Sequence, residues 1–249
     1  MGALHEGHLT LVREALRRAD RVVVSNFVNP IQFAAHEDLG AYPRQQEQDA
    51  RLLAETGAHL MFAPAPAEMY PDGFATSVAV AGPALGLEGE FRPQMFGGVA
   101  LVVTKLLNQV QPDVAVFGEK DYQQLMVIRR FVRDLDIPVE IVGSPTERDG
   151  WGLALSSRNA YLSEAELAVA RRLNGVLAEA GTRAANGVAG AEGWASQTLL
   201  DAGFDSIDYV AIRRGEDLGA FVGGTIDAPA RILAAVRLGK TRLIDNMAI

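Results

Sequence analysis

Residues 114–142 read VAVFGEKDYQQLMVIRRFVRDLDIPVEIV. The apolar run from Val114 to Phe117 has the length and composition of a buried strand, and GEKD follows it directly. A helix is predicted from Tyr122 to Leu135, ending before Pro138, and Val139 to Val142 is a second β-branched run. Strand, helix and strand in this order form the unit of a parallel sheet, because a crossover must return the chain to the same end of the next strand. The alternation continues toward the N-terminus. Leu9, Leu11, Val12, Ala15 and Leu16 fall near helical spacing between Gly7 and Ala19, and Arg21 to Phe27 (RVVVSNF) reads as a strand. Gln45 to Thr56 and Gly97 to Val110 are predicted helices, with a strand from His59 to Ala63 between them. The fold class expected is α/β, with a parallel, doubly wound sheet.

The pattern changes at the connector Ser144 to Gly152 (SPTERDGWG). Helices are predicted at Glu164 to Gly181 and Ala191 to Ala202, then β-rich segments at Ile207 to Ile212, Ala230 to Leu238 and Thr241 to Ala248. This predicts a smaller α+β domain over residues 145–249 behind a first domain over residues 1–144. The Ala- and Gly-rich stretch from Ala180 to Gly193 is expected to be a loose loop between helices.

Composition narrows the function classes. The 249 residues are 49% apolar and 22% charged, enough for one large domain or two modest ones. Thirty-one acidic residues against 23 Lys and Arg give a net charge of −8, which argues against broad attraction to nucleic acid or an anionic membrane and favours small-molecule partners. With no cysteine, thiol chemistry, disulfides and Cys-based zinc sites are excluded, which fits a reducing cytoplasm. The opening MGALHEGHLT lacks a basic region followed by an apolar one, and no apolar run is long enough to span a membrane.

Three clusters could carry chemistry. His5, Gly7 and His8 form H-x-G-H at the mouth of the first helix, where two imidazoles and the helix dipole can face one anion and Gly7 permits close approach. Gly118, Glu119, Lys120 and Asp121 lie at the end of a predicted strand, the end at which open α/β sheets bind ligands. A lysine there can balance the charge of a transferring phosphoryl group. Leu155, Ser156, Ser157, Arg158 and Asn159 follow the connector; they could form an N-cap and turn, or offer hydroxyls and a forked guanidinium to a polyphosphate. Gln32 and Gln124 pair a donor with an acceptor, as suits a substrate with hydroxyls beside a carboxylate. Asp49 is either a Mg²⁺ or glutamine-orienting carboxylate or a solvated helix charge.

MGALHEGHL, FVNPIQF, EDLGAYPR, MYPDG, LEGEFRP, QPDVAVFGEKDYQQL, LALSSRNAYL and TRLIDN, in this order, closely resemble the pantothenate synthetase family over essentially the whole chain. The resemblance implies a Rossmann-like H-x-G-H nucleotidyltransferase domain, a smaller C-terminal lid domain and a cytoplasmic homodimer. It implies an ATP- and Mg²⁺-dependent ligase that joins (R)-pantoate to β-alanine through a pantoyl-adenylate, releasing AMP and pyrophosphate. It places Met1, Gly2, Ala3, Leu4, His5, Glu6, Gly7 and His8 along the ATP site, with His8 catalytic and His5 beside it. Gly118 to Asp121, Glu147 and Leu155 to Arg158 would also hold the nucleotide, with Lys120, Ser156, Ser157 and Arg158 neutralising the triphosphate. Gln32 and Gln124 would grip pantoate, Gln32 also lying near β-alanine, and Asp49 falls where the family keeps a carboxylate near the metal.

Four departures accompany the resemblance. Met95 stands in place of a histidine in R-P-x-H-F, Glu147 in place of an apolar residue near the adenine, and Asn26 in place of an apolar strand residue. Relatives also carry further residues ahead of MGALHEGH, including a strand ending in Pro-Thr, so the sheet here is expected to lack a central strand and leave its neighbours' edges unpaired. The alternative reading is a truncated, weakly active or inactive nucleotide-binding homologue.

Overall fold

The computed structural model describes residues 2–32, 40, 45–222 and 225–249. They divide into two compact units, Met1–Glu119 with Val127–Pro145, and Lys120–Met126 with Thr146–Ile249.

The first unit runs α1 (Glu6–Leu16), β1 (Val23–Ser25), a 3-10 turn (Pro30–Gln32), α2 (Gln46–Thr56), β2 (Leu60–Phe62) and the single-turn helices α3 (Pro66–Met69) and α4 (Glu88–Phe91). It continues with α5 (Met95–Val110), β3 (Val114–Gly118), a second 3-10 turn (Glu119–Asp121), α6 (Tyr122–Asp134) and β4 (Glu140–Ser144). The first five residues of α6 group with the second unit. The strands pair in parallel, as the crossovers require: Val24 opposite Met61 in β1 and β2, and Val116 opposite Val142 in β3 and β4. Among the described residues each of these four strands pairs along one edge.

Alternation fixes which face of β1 is covered. Val22 and Val24 are buried with Leu4, Leu9 and Val12 of the first helical segment and Leu53 of α2, while Val23 between them is exposed. Helix α2 stops at Gly57, whose φ of 96° lets the Ala58 N–H close on the Leu53 carbonyl at 2.9 Å and turns the chain into β2. Helix α5 is buried on almost every side. Met95, Phe96, Val99, Ala100, Val103 and Leu107 pack with Val127, Ile128, Phe131 and Val132 of α6, and this cluster is the main core of the unit.

The second unit holds the hairpin around the Arg148–Ala154 bridge, a 3-10 turn (Ser157–Tyr161), α7 (Glu164–Ala170), α8 (Arg172–Ala185) and α9 (Ala191–Asp201). An antiparallel sheet, β5 (Ser206–Arg214), β6 (Ala230–Leu238) and β7 (Thr241–Ala248), completes it, with Ala211 opposite Leu233 and Ala234 opposite Asp245. Leu173 and Leu177 of α8, Leu199 of α9, and Ile232 and Val236 of β6 form its core. Two sequence expectations are corrected here. The single helix expected from Glu164 is two helices that meet at Arg171. The Ala-rich stretch beyond Ala180 is not a loose loop: Ala180 and Gly181 are buried on the packing face of α8, the helix continues to Ala185, and only residues 186–190 connect to α9. Among the described residues no helix is long and apolar enough to cross a membrane.

Candidate functional site

The H-x-G-H segment is held from below. Leu4 is buried in the first core cluster, and Gly2 packs so closely that a Cβ would lie 3.2 Å from Val28 Cγ2. His5, extended at φ −134°, precedes α1, and its carbonyl accepts the N–H groups of His8 at 2.8 Å and Leu9 at 3.2 Å. The His5 N–H donates to His8 Nδ1 at 3.3 Å, and the two imidazole rings lie 4.0 Å apart, centroid to centroid. A neutral imidazole that accepts through Nδ1 carries its proton on Nε2, so His8 has a defined donor nitrogen. Gly7 is the second residue of α1, where N–H groups lack helical partners. Glu6 turns along the exposed helix surface to pair with Arg13, whose hydrogen bond holds its carboxyl below the usual range. Met1 lies outside the described residues.

Asp49 is not a solvated helix charge. It is 1% exposed; Oδ2 accepts from the Ala3 N–H at 3.0 Å and Asn26 Nδ2 at 2.9 Å, and Oδ1 from the Leu4 N–H at 2.8 Å. Three of the roughly four acceptor positions on this carboxylate thus serve N–H groups, which leaves one for any further ligand. Among the described residues no group of three His, Asp or Glu could hold a metal.

Gln32 ends its 3-10 turn, with its N–H directed at the Asn29 carbonyl at 3.3 Å. Asn29 is buried: Nδ2 donates to the Gly98 carbonyl at 3.1 Å, and Oδ1 accepts from the Tyr70 hydroxyl at 2.8 Å. Burial pushes the Tyr70 phenol up to about 12, so it remains a donor throughout the physiological range. Helix α5 approaches this turn through Gly98, where a Cβ would meet the N and Cα of Gln32 and the Ile31 carbonyl at 3.0 Å each. Gly98→Ala is therefore expected to displace Gln32 and cost about 1–3 kcal/mol of stability. Thermal melting and substrate titration check this, and an unchanged protein would show that the turn yields freely. Met95, at the start of α5, is buried, with Arg92 Nη1 2.8 Å from its sulfur. The thioether thus acts as a weak acceptor and core filler.

Gly118 and Glu119, at the end of β3, belong to the first unit. In the second, the Lys120 carbonyl accepts from Asn246 Nδ2 of β7 at 2.8 Å, while Asn246 Oδ1 accepts from Arg231. The Arg231 guanidinium lies 3.6 Å above the Tyr122 ring, and the Tyr122 hydroxyl donates to the Gly215 carbonyl at 2.7 Å. Lys120 is thereby held through its carbonyl by β7, and Gln124, half-buried, sits one turn further along α6. Sequence reasoning missed Asn246, Arg231 and Tyr122. The TRLIDN motif was the available signal for Asn246.

The connector hairpin brings together two of the expected nucleotide residues, the Leu155 N–H bonding the Glu147 carbonyl at 2.9 Å. The Glu147 side chain is exposed. Arg148 is clamped by Asp245 of β7 through both terminal guanidinium nitrogens, at 2.7 and 2.8 Å. Ser156 Oγ accepts from the Arg158 N–H at 3.3 Å and caps the turn that presents Ser157 and Arg158. Asn159 Nδ2 ties the same turn to the Ala154 carbonyl at 3.0 Å.

Parallel strand pairs with helical crossovers, an H-x-G-H segment opening the first helix and a separate antiparallel C-terminal sheet define an α/β enzyme of the nucleotidyltransferase type. The profile of the pantoate-beta-alanine ligase family matches residues 1–248, and the chain belongs to that family. It is 58% identical to the pantothenate synthetase of Mesorhizobium japonicum over 249 residues, covering 99% of this chain and 87% of that protein. The pantothenate synthetase of Caulobacter vibrioides is likewise 58% identical over 252 residues, covering 100% and 88%. The crystal structure of pantothenate synthetase from Thermus thermophilus superposes with a TM-score of 0.93 at 49% identity, over 99% of this chain and 90% of that one. Pantoate-beta-alanine ligase from Francisella tularensis, complexed with beta-gamma ATP and beta-alanine, gives a TM-score of 0.83 at 34% identity, over 99% and 86%.

Proposed function

We propose that this chain joins (R)-pantoate to β-alanine at the expense of ATP, forming pantothenate, AMP and pyrophosphate. The observation that carries this reading is the family match over residues 1–248. In the first half-reaction a pantoate carboxylate oxygen attacks the α-phosphorus, and the bond to the bridging oxygen of the β-phosphate breaks. In the second, the β-alanine amine attacks the acyl carbon of the adenylate, AMP leaves and the nitrogen loses a proton.

The chain's own groups suit these steps. His8, with its proton on Nε2, donates to a phosphate oxygen that gains charge as the α-phosphorus becomes five-coordinate. His5 and the N-terminal amides of α1 add positive potential beside it. Lys120, with no side-chain ion pair among the described residues, brings a positive charge to the leaving pyrophosphate. Ser156, Ser157 and Arg158 supply hydroxyl and guanidinium donors to the same triphosphate. Gly118, Glu119, Asp121, Glu147 and Leu155 line the nucleotide, and Gln32 and Gln124 bind pantoate. Asp49 already accepts from three N–H groups, so a Mg²⁺ ion accompanying the triphosphate would be held mainly by phosphate oxygens. The chain is also expected to be a cytoplasmic homodimer, and light scattering of the purified chain tests the dimer.

The deciding experiment is AMP formation by the purified chain. It should require pantoate and β-alanine together, and AMP release independent of both would overturn the assignment. No observation favours the non-catalytic alternative. A narrower test is Gln124→Ala, expected to weaken pantoate binding far more than ATP binding, because a lost hydrogen-bonding partner leaves buried polar groups unpaired. Calorimetry separates the two, and a selective loss of ATP affinity would move Gln124 to the nucleotide site.

A further inference from the structure

The backbone just ahead of His5 is strained. Ala3 has a φ of 50°, in the left-handed region that an alanine enters only when its surroundings enforce it. Two bonds enforce it here, from the Ala3 and Leu4 N–H groups to the two oxygens of Asp49. Among the described residues that carboxylate has no Lys or Arg partner, and the groups that meet it are N–H dipoles. It stands in the first turn of α2, where the helix dipole assists.

The third donor is Asn26. Its backbone N–H bonds the Phe62 carbonyl at 2.8 Å, continuing the β1–β2 pairing by one residue and fixing where its side chain begins. Nδ2 then donates to Asp49 Oδ2 at 2.9 Å and lies 3.7 Å from Met61 Sδ. Oδ1 faces Gly2, 3.5 Å from where a Cβ there would lie. One amide therefore touches both the start of the loop and the carboxylate that bends it.

We infer that Asn26 is a positioning residue for the H-x-G-H segment, acting through Asp49 to hold the turn at Ala3 and Leu4 from which His5 and His8 are aimed. An apolar side chain at 26 would remove one of the carboxylate's three donors and leave only the Ala3 and Leu4 amides of the loop itself to orient it. The link to catalysis rests on the function proposed above; the link to loop geometry does not.

The test joins a readout on the substrate-free protein to one on turnover, using Asn26→Leu and Asp49→Asn. Amide exchange at Ala3 and Leu4 should accelerate about tenfold in both variants, the scale of one lost hydrogen bond to a charged group, while exchange in β5 to β7 stays unchanged. The KM for ATP should rise by about the same factor, with the KM for β-alanine unmoved. The two substitutions together should do no more than either alone, because they break one chain of contacts. Unchanged exchange at residues 3 and 4 in Asn26→Leu would overturn the inference, as would acceleration spread over the whole first unit. If the wild-type chain forms no pantothenate yet the local exchange result holds, the proposed function fails and the positioning role stands.

Discussion

Replacing His8 with alanine is expected to slow pantoyl-adenylate formation by about two orders of magnitude or more, the scale of removing a preorganised donor to developing charge. The geometry gives the reason. His8 is the third residue of α1, and the His5 N–H holds its Nδ1 as an acceptor at 3.3 Å, which leaves Nε2–H as the donor. An alanine also strips the His5 N–H of that partner, so the substitution alone mixes lost chemistry with a loosened loop. His8→Asn separates them, because its carbonyl oxygen can accept from the His5 N–H while no donor reaches as far as Nε2. Both variants should be slow in pyrophosphate release, measured by rapid quench with ATP and pantoate and without β-alanine. Wild-type release in both would remove His8 from the reaction. Recovery in His8→Asn alone would reduce its part to supporting the loop.

The features legible in the sequence are those with a period. Burial of Val22 and Val24 beside an exposed Val23, and the apolar faces of α5 and α6, follow from side chains repeating at strand or helix spacing. The pairing of β1 with β2 and β3 with β4 then follows from the right-handed crossover. Contacts that join distant stretches have no such period. Asp49 and Asn26 are 23 residues apart, and nothing in QEQDARLL distinguishes a clamped carboxylate from the solvated Glu47 two residues earlier. Gly98 looks like any helix glycine until its neighbour across the gap, Gln32, is known. Asn246 and Arg231 escaped for the same reason: β7 reaches Lys120 across 126 residues of sequence. Local composition also misled where it opposed tertiary packing, since Ala and Gly suggested a loop in a segment whose small side chains let α8 pack into the core.

A substitution in the second unit should have the largest effect on stability. The Asp245 side chain is 1% exposed and accepts from both terminal nitrogens of Arg148, while the Arg148 side chain is 22% exposed. Oδ1 of Asp245 also accepts from the Asn246 N–H at 2.7 Å, and Arg148 donates further to the Gly152 carbonyl at 3.0 Å. Asp245→Ala would leave a largely buried guanidinium without its counter-charge, at a cost of about 3–5 kcal/mol. Set against a total stability of ~5–15 kcal/mol, this should lower the melting temperature by roughly 6–20 °C. The loss should also reach function, because the same pair pins to β7 the hairpin that pairs Glu147 with Leu155 and leads into Ser156. Adding Arg148→Met to Asp245→Ala removes the orphaned charge and should restore part of the lost stability. It does not restore the tether, so the KM for ATP should stay raised in the double variant. Calorimetry and steady-state kinetics on the three proteins read the two effects apart. A melting temperature within about 2 °C of wild type for Asp245→Ala would show that water or another group replaces the carboxylate. A double variant with wild-type ATP kinetics would show that the hairpin keeps its place without the ion pair.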